Sequence, residues 1–277
     1  MKRYIVTGGL GHIGSHLADA LIERGDEVLI IDDGSTGSLE YKHPLAELLT
    51  ISAYDVLERE EVLSESWDGV FHLAAFVSVR EGNEQPMLAE SRGSNLTVAM
   101  LELCRRLKIP KMVFVSSVVV ASNPHIPYGI EKDASERYCR YYEKQFGLDV
   151  SIIRLHNVYG SPRHTVATGN VIPALLDQKR QTGRIKISGN GLQMRDFVYY
   201  TDVVRAITEA EQRIGTTEIG TCVGHSMIEV AKYFDCPIDF VGRHSQDIDR
   251  QVCEKSDYET RVSLEQGMGK LFGHDMK

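Results

Sequence analysis

No stretch of this 277-residue chain approaches the roughly 18 uninterrupted apolar residues that a membrane-spanning helix requires, so insertion is not expected. The opening MKRYIVTGG passes from two basic residues into a short apolar stretch and a glycine turn, too little for the apolar core of a secretion signal; a cytoplasmic protein is expected. Runs of five or more like charges are missing too. With Lys plus Arg at 31 and Asp plus Glu at 39, the net charge of −8 is dispersed and leaves no electrostatic footprint for nucleic acid. The five cysteines, Cys104, Cys139, Cys222, Cys236 and Cys253, are odd in number and widely spaced, without a C-x-x-C pair or a His/Cys cluster. They read as reduced thiols, and no metal site is expected. Neither an internal repeat nor a low-complexity linker divides the chain.

What is present is alternation. Short apolar runs bounded by turn residues, RYIVTGG, EVLIIDD, GVFHLAA and KMVFVSS, alternate with segments of helical period such as SHLADALIERG and TVAMLELCRRL. That order predicts an α/β fold: a Rossmann-type, doubly wound parallel sheet covered by helices on both faces. A helix from about Tyr128 to Phe146 ends at Gly147, a C-cap, and LDVSIIRLHNVYG adds another strand. We therefore expect a dinucleotide-binding domain over residues 1–160. Residues 161–277 are expected to form a smaller, partly interleaved substrate lobe, with a helix at NVIPALLDQKRQTG and another at TDVVRAITEAEQRI. Between these, RIKISGNG and RDFVYY are expected to pair, with residues 189–191 reversing the chain at positive φ.

IVTGGLGHIGSHL sets Gly8, Gly9, Gly11 and Gly14 between a strand and an amphipathic helix. Glycines there let backbone approach a pyrophosphate, and the helix N-terminus offers amides and a positive dipole. Asp32 follows Gly14 by 18 residues, at the end of VLIID, where a carboxylate can accept both hydrogen bonds of a ribose. An acid there repels a 2′-phosphate and no arginine follows in DDGSTGS, so NAD is favoured over NADP. Tyr128 and Lys132 are one helical turn apart and share a face. An ammonium and a cationic nicotinamide near Tyr128 are expected to lower a phenol pKa of about 10 toward the working range. Ser117, ending the strand KMVFVSS, would hydrogen-bond the same substrate hydroxyl.

These motifs, with YDV, SNLTVAMLEL, RLHNVYG and RDFVYYTDVVRAI in the same order, resemble the extended short-chain dehydrogenase/reductase family, the nucleotide-sugar epimerases and dehydratases. The resemblance runs nearly the whole length. It implies Ser117, Tyr128 and Lys132 as the catalytic triad, and Gly8, Gly11, His12, Ile13 and Gly14 as the phosphate loop. Asp32 and Asp33 would meet the ribose, Asp55 and Val56 the adenine, and Leu73, Ala74 and Ala75 would line the cofactor. Asn95 would steady the central helix against the strands. For a sugar nucleotide the resemblance implies Phe76, Ser117, Asn157, Asn170 and Arg195, with Arg243 as a further arginine. From the residues alone, Asn157 could equally cap a turn and Arg195 could pair with Asp196. The resemblance also implies a homodimer through a four-helix bundle of residues 88–107 and 128–146.

The family's dehydratases carry an acid pair directly after the catalytic Ser/Thr, because eliminating water needs a general acid and base beyond the tyrosine, and its UDP-glucuronate decarboxylases resemble a pattern with a carboxylate there. Here Val118 and Val119 stand in those places. The expected reaction is hydride transfer without elimination, giving a keto-sugar that is reduced on its other face: epimerisation at C4 of a UDP-hexose. Net dehydrogenation of a sugar nucleotide or other alcohol is the first alternative, ahead of dehydration and of a non-catalytic NAD-sensing role. SSVVVAS, with Ala121 and Ser122 where the family runs into Val-Tyr-Gly, and the short connection from Ser117 to Tyr128 both depart from the pattern beside the sugar pocket.

Overall fold

A computed structural model of the chain describes residues 1–59, 63, 66–163, 170–243 and 247–273. The first elements are β1 (Arg3–Thr7), α1 (Gly14–Glu23), β2 (Glu27–Ile31), β3 (Glu47–Leu49), β4 (Gly69–His72), α2 (Val79–Glu84) and α3 (Pro86–Ser91). There follow α4 (Ser94–Leu107), β5 (Lys111–Ser117), α5 (Val119–Ser122), α6 (Pro127–Phe146), β6 (Asp149–Leu155) and β7 (Asn157–Tyr159). The remainder comprises α7 (Val171–Thr182), β8 (Ile185–Ser188), β9 (Met194–Arg195), β10 (Phe197–Tyr199), α8 (Tyr200–Glu209), β11 (Gly215–Ile219), β12 (His225–Ser226), α9 (Met227–Lys232), β13 (Ile238–Val241), β14 (Arg250–Gln251) and α10 (Leu264–Phe272). Among the described residues no helix is long and apolar enough to cross a membrane.

The expected doubly wound sheet is present, with seven strands in the order β11-β6-β5-β4-β1-β2-β3. Its run from β3 through β2, β1 and β4 to β5 is parallel throughout. Helices follow β1, β4 and β5 as crossovers between parallel strands, and on α1 the buried apolar stripe is Leu17, Ala18 and Leu21. Pro127 starts α6 at a position whose φ it already satisfies, and Gly147 closes the helix at φ +70°, donating its N–H to the Glu143 carbonyl.

The chain divides into two compact units. Unit 1 is Met1–Arg154 with Val204–Thr217; unit 2 is Leu155–Val203 with Glu218–Lys277. The core of unit 1 gathers Ile5, Ile31, Val70, Met100, Phe114 and Ile152. Unit 2 has its own core, including Tyr159, Ile185, Phe197, Val230, Phe234 and Met268.

Two expectations about elements are corrected. The helix expected over residues 88–107 is two helices, α3 and α4, broken at Arg92–Gly93, where any side chain on Gly93 would collide with the Glu131 carboxylate. Nor do the RIKISGNG and RDFVYY strands pair with each other: β8 pairs in parallel with β13, and β10 in parallel with β7. Gly189 and Gly191 do take positive φ (+63° and +72°), so the chain turns as expected. Phe197, Val198 and Tyr199 are all buried, which suits a strand covered on both faces and not a hairpin arm with one wet face.

Candidate active site

The loop between β1 and α1 is built for close approach. Gly8 sits at φ +69°, and a Cβ there would come within 2.8 Å of the Ala74 amide nitrogen; any side chain at Gly14 would strike the Gly8 carbonyl. The turn closes with Gly11 N–H donating to Gly8 O (3.1 Å) and leads into the ten-residue helix α1, after Ile13 at its N-cap. A dinucleotide pyrophosphate fits such a bare backbone cradle at a helix N-terminus. His12 is buried beside it.

Asp32, at the end of β2, is buried and accepts N–H bonds from Leu10 (3.0 Å) and Gly34 (2.9 Å), one on each oxygen. It thus ties the phosphate loop to β2, and each oxygen keeps a lone pair for a ribose hydroxyl. Burial pushes its carboxyl above the usual range; the two amides oppose that shift and Asp33 adds to it. Asp33 is exposed and caps Ser35 N–H. Asp55 is exposed in a 3-10 turn, whereas Val56 is wholly buried in the core of unit 1, so any contact it makes with adenine runs through its backbone.

Sequence reasoning missed the device that holds the cofactor-lining turn Leu73–Ala75. Thr7 Oγ1 accepts the amides of Leu73 and Ala74, both at 3.2 Å, which fills its two lone pairs. Its own proton therefore goes to His72 Nδ1, 2.7 Å away, leaving His72 Nε2–H to donate to Thr97 Oγ1 at 3.2 Å. Burial, with the nearby Lys132 charge, pushes His72 down to about 3, so the ring is neutral. This chain joins β1, β4 and α4. Asn95, expected to do that work, is instead exposed in the first turn of α4. Phe76 is buried beneath α2, its amide donating to Arg92 O.

Ser117, Tyr128 and Lys132 come together as expected. Tyr128 is hydrogen-bonded to Ser117, and Lys132 Nζ lies 6.0 Å from the centre of the Tyr128 ring. The expected lowering of Tyr128 does not occur in the protein alone: burial pushes the phenol up to about 12, with the Ser117 bond pulling down and the Glu131 carboxylate adding to the rise. Lys132 points its ammonium at the Val115 carbonyl (2.8 Å) and the Phe114 ring (4.9 Å). Burial lowers it to about 8.

The placement of α6 rests on Glu136, fully buried one turn beyond Lys132. Its carboxylate takes two bonds from Arg154 (2.8 and 2.7 Å), one from Ser116 Oγ (2.7 Å) and one from Arg140 (2.8 Å). These pairs hold the carboxyl below its usual range despite burial. They lock α6 to β5 and β6, and with them the register of Tyr128 over Ser117. Glu131, on the same helix, is the opposite case: buried, with Oε1 lacking a hydrogen-bond partner, it is pushed up to about 8 by burial.

The remaining expected residues lie in unit 2. Asn157, in β7, donates its side-chain N–H to Asp196 O (2.9 Å), so it braces β10 and does not cap a turn. Arg195 does not pair with Asp196. Its Nη1 donates to the carbonyls of Met194 (2.9 Å) and Ile248 (2.8 Å), and burial lowers its pKa while Asp247 and Asp249 support its charge. Arg243 is near enough to Arg195 to repel it and bonds Asp247 O and the Asp249 carboxylate. The two guanidiniums thus lie near one another, with the Asp247 and Asp249 carboxylates beside them. Asn170 is the N-cap residue of α7 but does not cap it through its side chain.

A family model described as the NAD dependent epimerase/dehydratase family matches residues 4–220. The chain belongs to that family. As a member it is an enzyme with NAD as cofactor. It is similar to a putative UDP-glucose 4-epimerase of Methanocaldococcus jannaschii, at 29% identity over 293 aligned positions and 96% of each chain. It is also 31% identical to a UDP-N-acetyl-alpha-D-glucosaminuronate decarboxylase of Bacillus cytotoxicus, over 76% of this chain and 71% of that one. Among solved structures it is similar to the UDP-glucose 4-epimerase of Thermotoga maritima with UDP-glucose, with a TM-score of 0.90 and 28% identity, covering 97% of this chain and 96% of that one.

Proposed function

We propose that this family member is a 4-epimerase of UDP-hexoses. The observation that carries the reading is the Ser117–Tyr128 hydrogen bond beside a buried Lys132, followed at once by the buried, protonless side chains of Val118 and Val119. Elimination or decarboxylation calls for a further proton-transferring group, and these two positions supply none. Likeness to the two epimerases supports the same choice.

Bound NAD supplies the hydride acceptor, and its positive nicotinamide favours the phenolate. Ser117 Oγ orients the sugar hydroxyl. Tyr128 takes the hydroxyl proton at its phenolic oxygen and returns it to the epimeric alcohol. Lys132, held by Val115 O, keeps a positive charge near the phenol. Arg195 and Arg243 grip the diphosphate, so that the sugar can turn while the nucleotide stays fixed. Exposed Tyr138 and Tyr141 on α6 support the reading of a homodimer through α4 and α6, which light scattering tests against the 31.0 kDa of one chain.

The test is NMR of products from UDP-glucose, UDP-galactose, their N-acetyl forms and UDP-glucuronate. Interconversion of C4 epimers without net NADH is the expected result. Stoichiometric NADH without interconversion would replace the reading with a dehydrogenase. The decarboxylase likeness is a second reading, and it predicts carbon dioxide and the decarboxylated UDP-sugar from UDP-N-acetylglucosaminuronate or UDP-glucuronate.

A further inference from the structure

Unit 2 contains a buried cluster of metal-ligating side chains drawn from three distant segments: His156 between β6 and β7, Asp196 between β9 and β10, and Cys253 just after β14. One ligand atom from each lies within 4.8 Å of the other two. A second sulfur, that of Cys222, lies near enough to the Cys253 thiol to raise its pKa.

The hydrogen bonds around the cluster assign a role to each member. His156 Nε2 lies 2.7 Å from Glu218 Oε1, and a ring nitrogen facing a carboxylate carries the proton. That leaves the lone pair on Nδ1, which is buried and has no hydrogen-bond partner. An imidazole that gives one N–H to a carboxylate and keeps the other nitrogen bare is the arrangement that presents a metal ligand. Asp196 has no such capacity left: Oδ1 accepts Thr221 N–H (2.9 Å) and Oγ1 (2.6 Å), and Oδ2 accepts the amides of Cys222 (2.9 Å) and Cys253 (3.3 Å). It holds both cysteine backbones on one oxygen. Cys222 is exposed and gives an entry path from solvent.

We propose that His156, Cys222 and Cys253 bind a thiophilic divalent cation of the zinc class, with Glu218 orienting the imidazole and Asp196 positioning the two cysteines. Two sulfurs and one imidazole make a three-ligand tetrahedral site with its fourth position open to water. On binding, two S–H bonds break, two metal–sulfur bonds form, and two protons go to solvent. The site would fasten residues 156, 222 and 253 beside strand β9, whose neighbours are β12, just after Cys222, and β14, just before Cys253.

The test uses the full chain, reduced and stripped with a chelator, then titrated with Co²⁺. Expected are saturation at one equivalent, the visible bands of tetrahedral cobalt with a thiolate-to-cobalt absorption, displacement by Zn²⁺, and a Tm that rises with metal. Cys222→Ser, an exposed change that leaves the core untouched, and His156→Gln should each weaken binding by about tenfold or more. Cys236→Ser should leave it unchanged. No saturable binding, a spectrum without thiolate absorption, or equal affinity in Cys222→Ser and His156→Gln would overturn the proposal. So would a Cys222–Cys253 disulfide that persists under reduction.

Discussion

Unit 1 and unit 2 position their functional side chains by different means. In unit 1 the side chains sit at the ends of parallel strands and the first turns of the helices that follow them: Gly8 after β1, Asp32 after β2, Ala74 after β4, Ser117 at the end of β5. In unit 2 the strands are two to four residues long and each pairs with a remote partner, β9 with β12 and β14, β8 with β13. A strand-to-helix turn fixes a residue's place from within a short stretch of sequence, whereas a short strand acquires its place only from partners far along the chain. On the proposed function, chemistry that reads as a motif belongs to unit 1, and recognition assembled from distant segments belongs to unit 2.

That division can be broken in four ways. Tyr128→Phe should cut kcat by about 10²–10⁴-fold while NAD content is unchanged, since it removes the proton acceptor and no part of the phosphate cradle; steady-state kinetics with bound-nucleotide analysis checks it. Arg154→Ala should cost about 3 kcal/mol in urea unfolding, because it strips two hydrogen bonds from a carboxylate with no exposure to water. Activity should fall with it, as α6 loses its anchor to β6. Arg195→Lys should raise KM by about tenfold with little change in kcat, the loss expected of a point charge replacing the fork that the proposed function sets on a diphosphate. Were it to depress kcat as severely as Tyr128→Phe, recognition and chemistry would not be divided between the units.

The smallest effect is the sharpest in sign. Glu131 keeps its proton in the folded protein up to about pH 8, while the unfolded chain loses it near the ordinary carboxyl value of 4.5. The folded state therefore binds more protons across that window, and its stability falls as pH rises from about 4.5 to about 8. Glu131→Gln should remove this slope and stabilise the protein at pH 7 by about 1–2 kcal/mol. Urea unfolding of both proteins at pH 5 and pH 7 measures the difference.

Much of unit 1 was legible in the sequence for the reason its geometry suggests. The glycine spacing, Asp32, Ser117 and the Tyr128–Lys132 pair each lie within one strand–turn–helix step, and the structure sets them where those steps dictate. The chain Thr7–His72–Thr97 was not legible: its members are 65 and 25 residues apart, and only the sheet order β1 beside β4 brings them together. Asn95 is exposed on α4, while Thr97 of the same helix faces β4. The phenol was expected to be lowered by its lysine and the nicotinamide together; in the protein alone burial raises it, and the lysine ammonium is directed at Val115 O. In unit 2 the reversal at Gly189 and Gly191 was visible, while the partners of β8 and β10 depend on residues 238–241 and 157–159. The nearness of Cys222 to Cys253 was hidden by their separation along the chain.

The carboxylate of Asp196 also orders events in time. Its four bonds come from Thr221, Cys222 and Cys253, and β14 must be present for β9, with Arg195 at its end, to acquire its second neighbour. During synthesis on the ribosome, every segment of unit 1 has emerged once Thr217 has, yet Asp196 lacks its last partner until Cys253 follows. The fold thus gives a nascent chain its Ser117–Tyr128 pair well before Arg195 is held in place, and on the proposed function a product truncated before β14 would carry the chemistry of the first without the selectivity of the second.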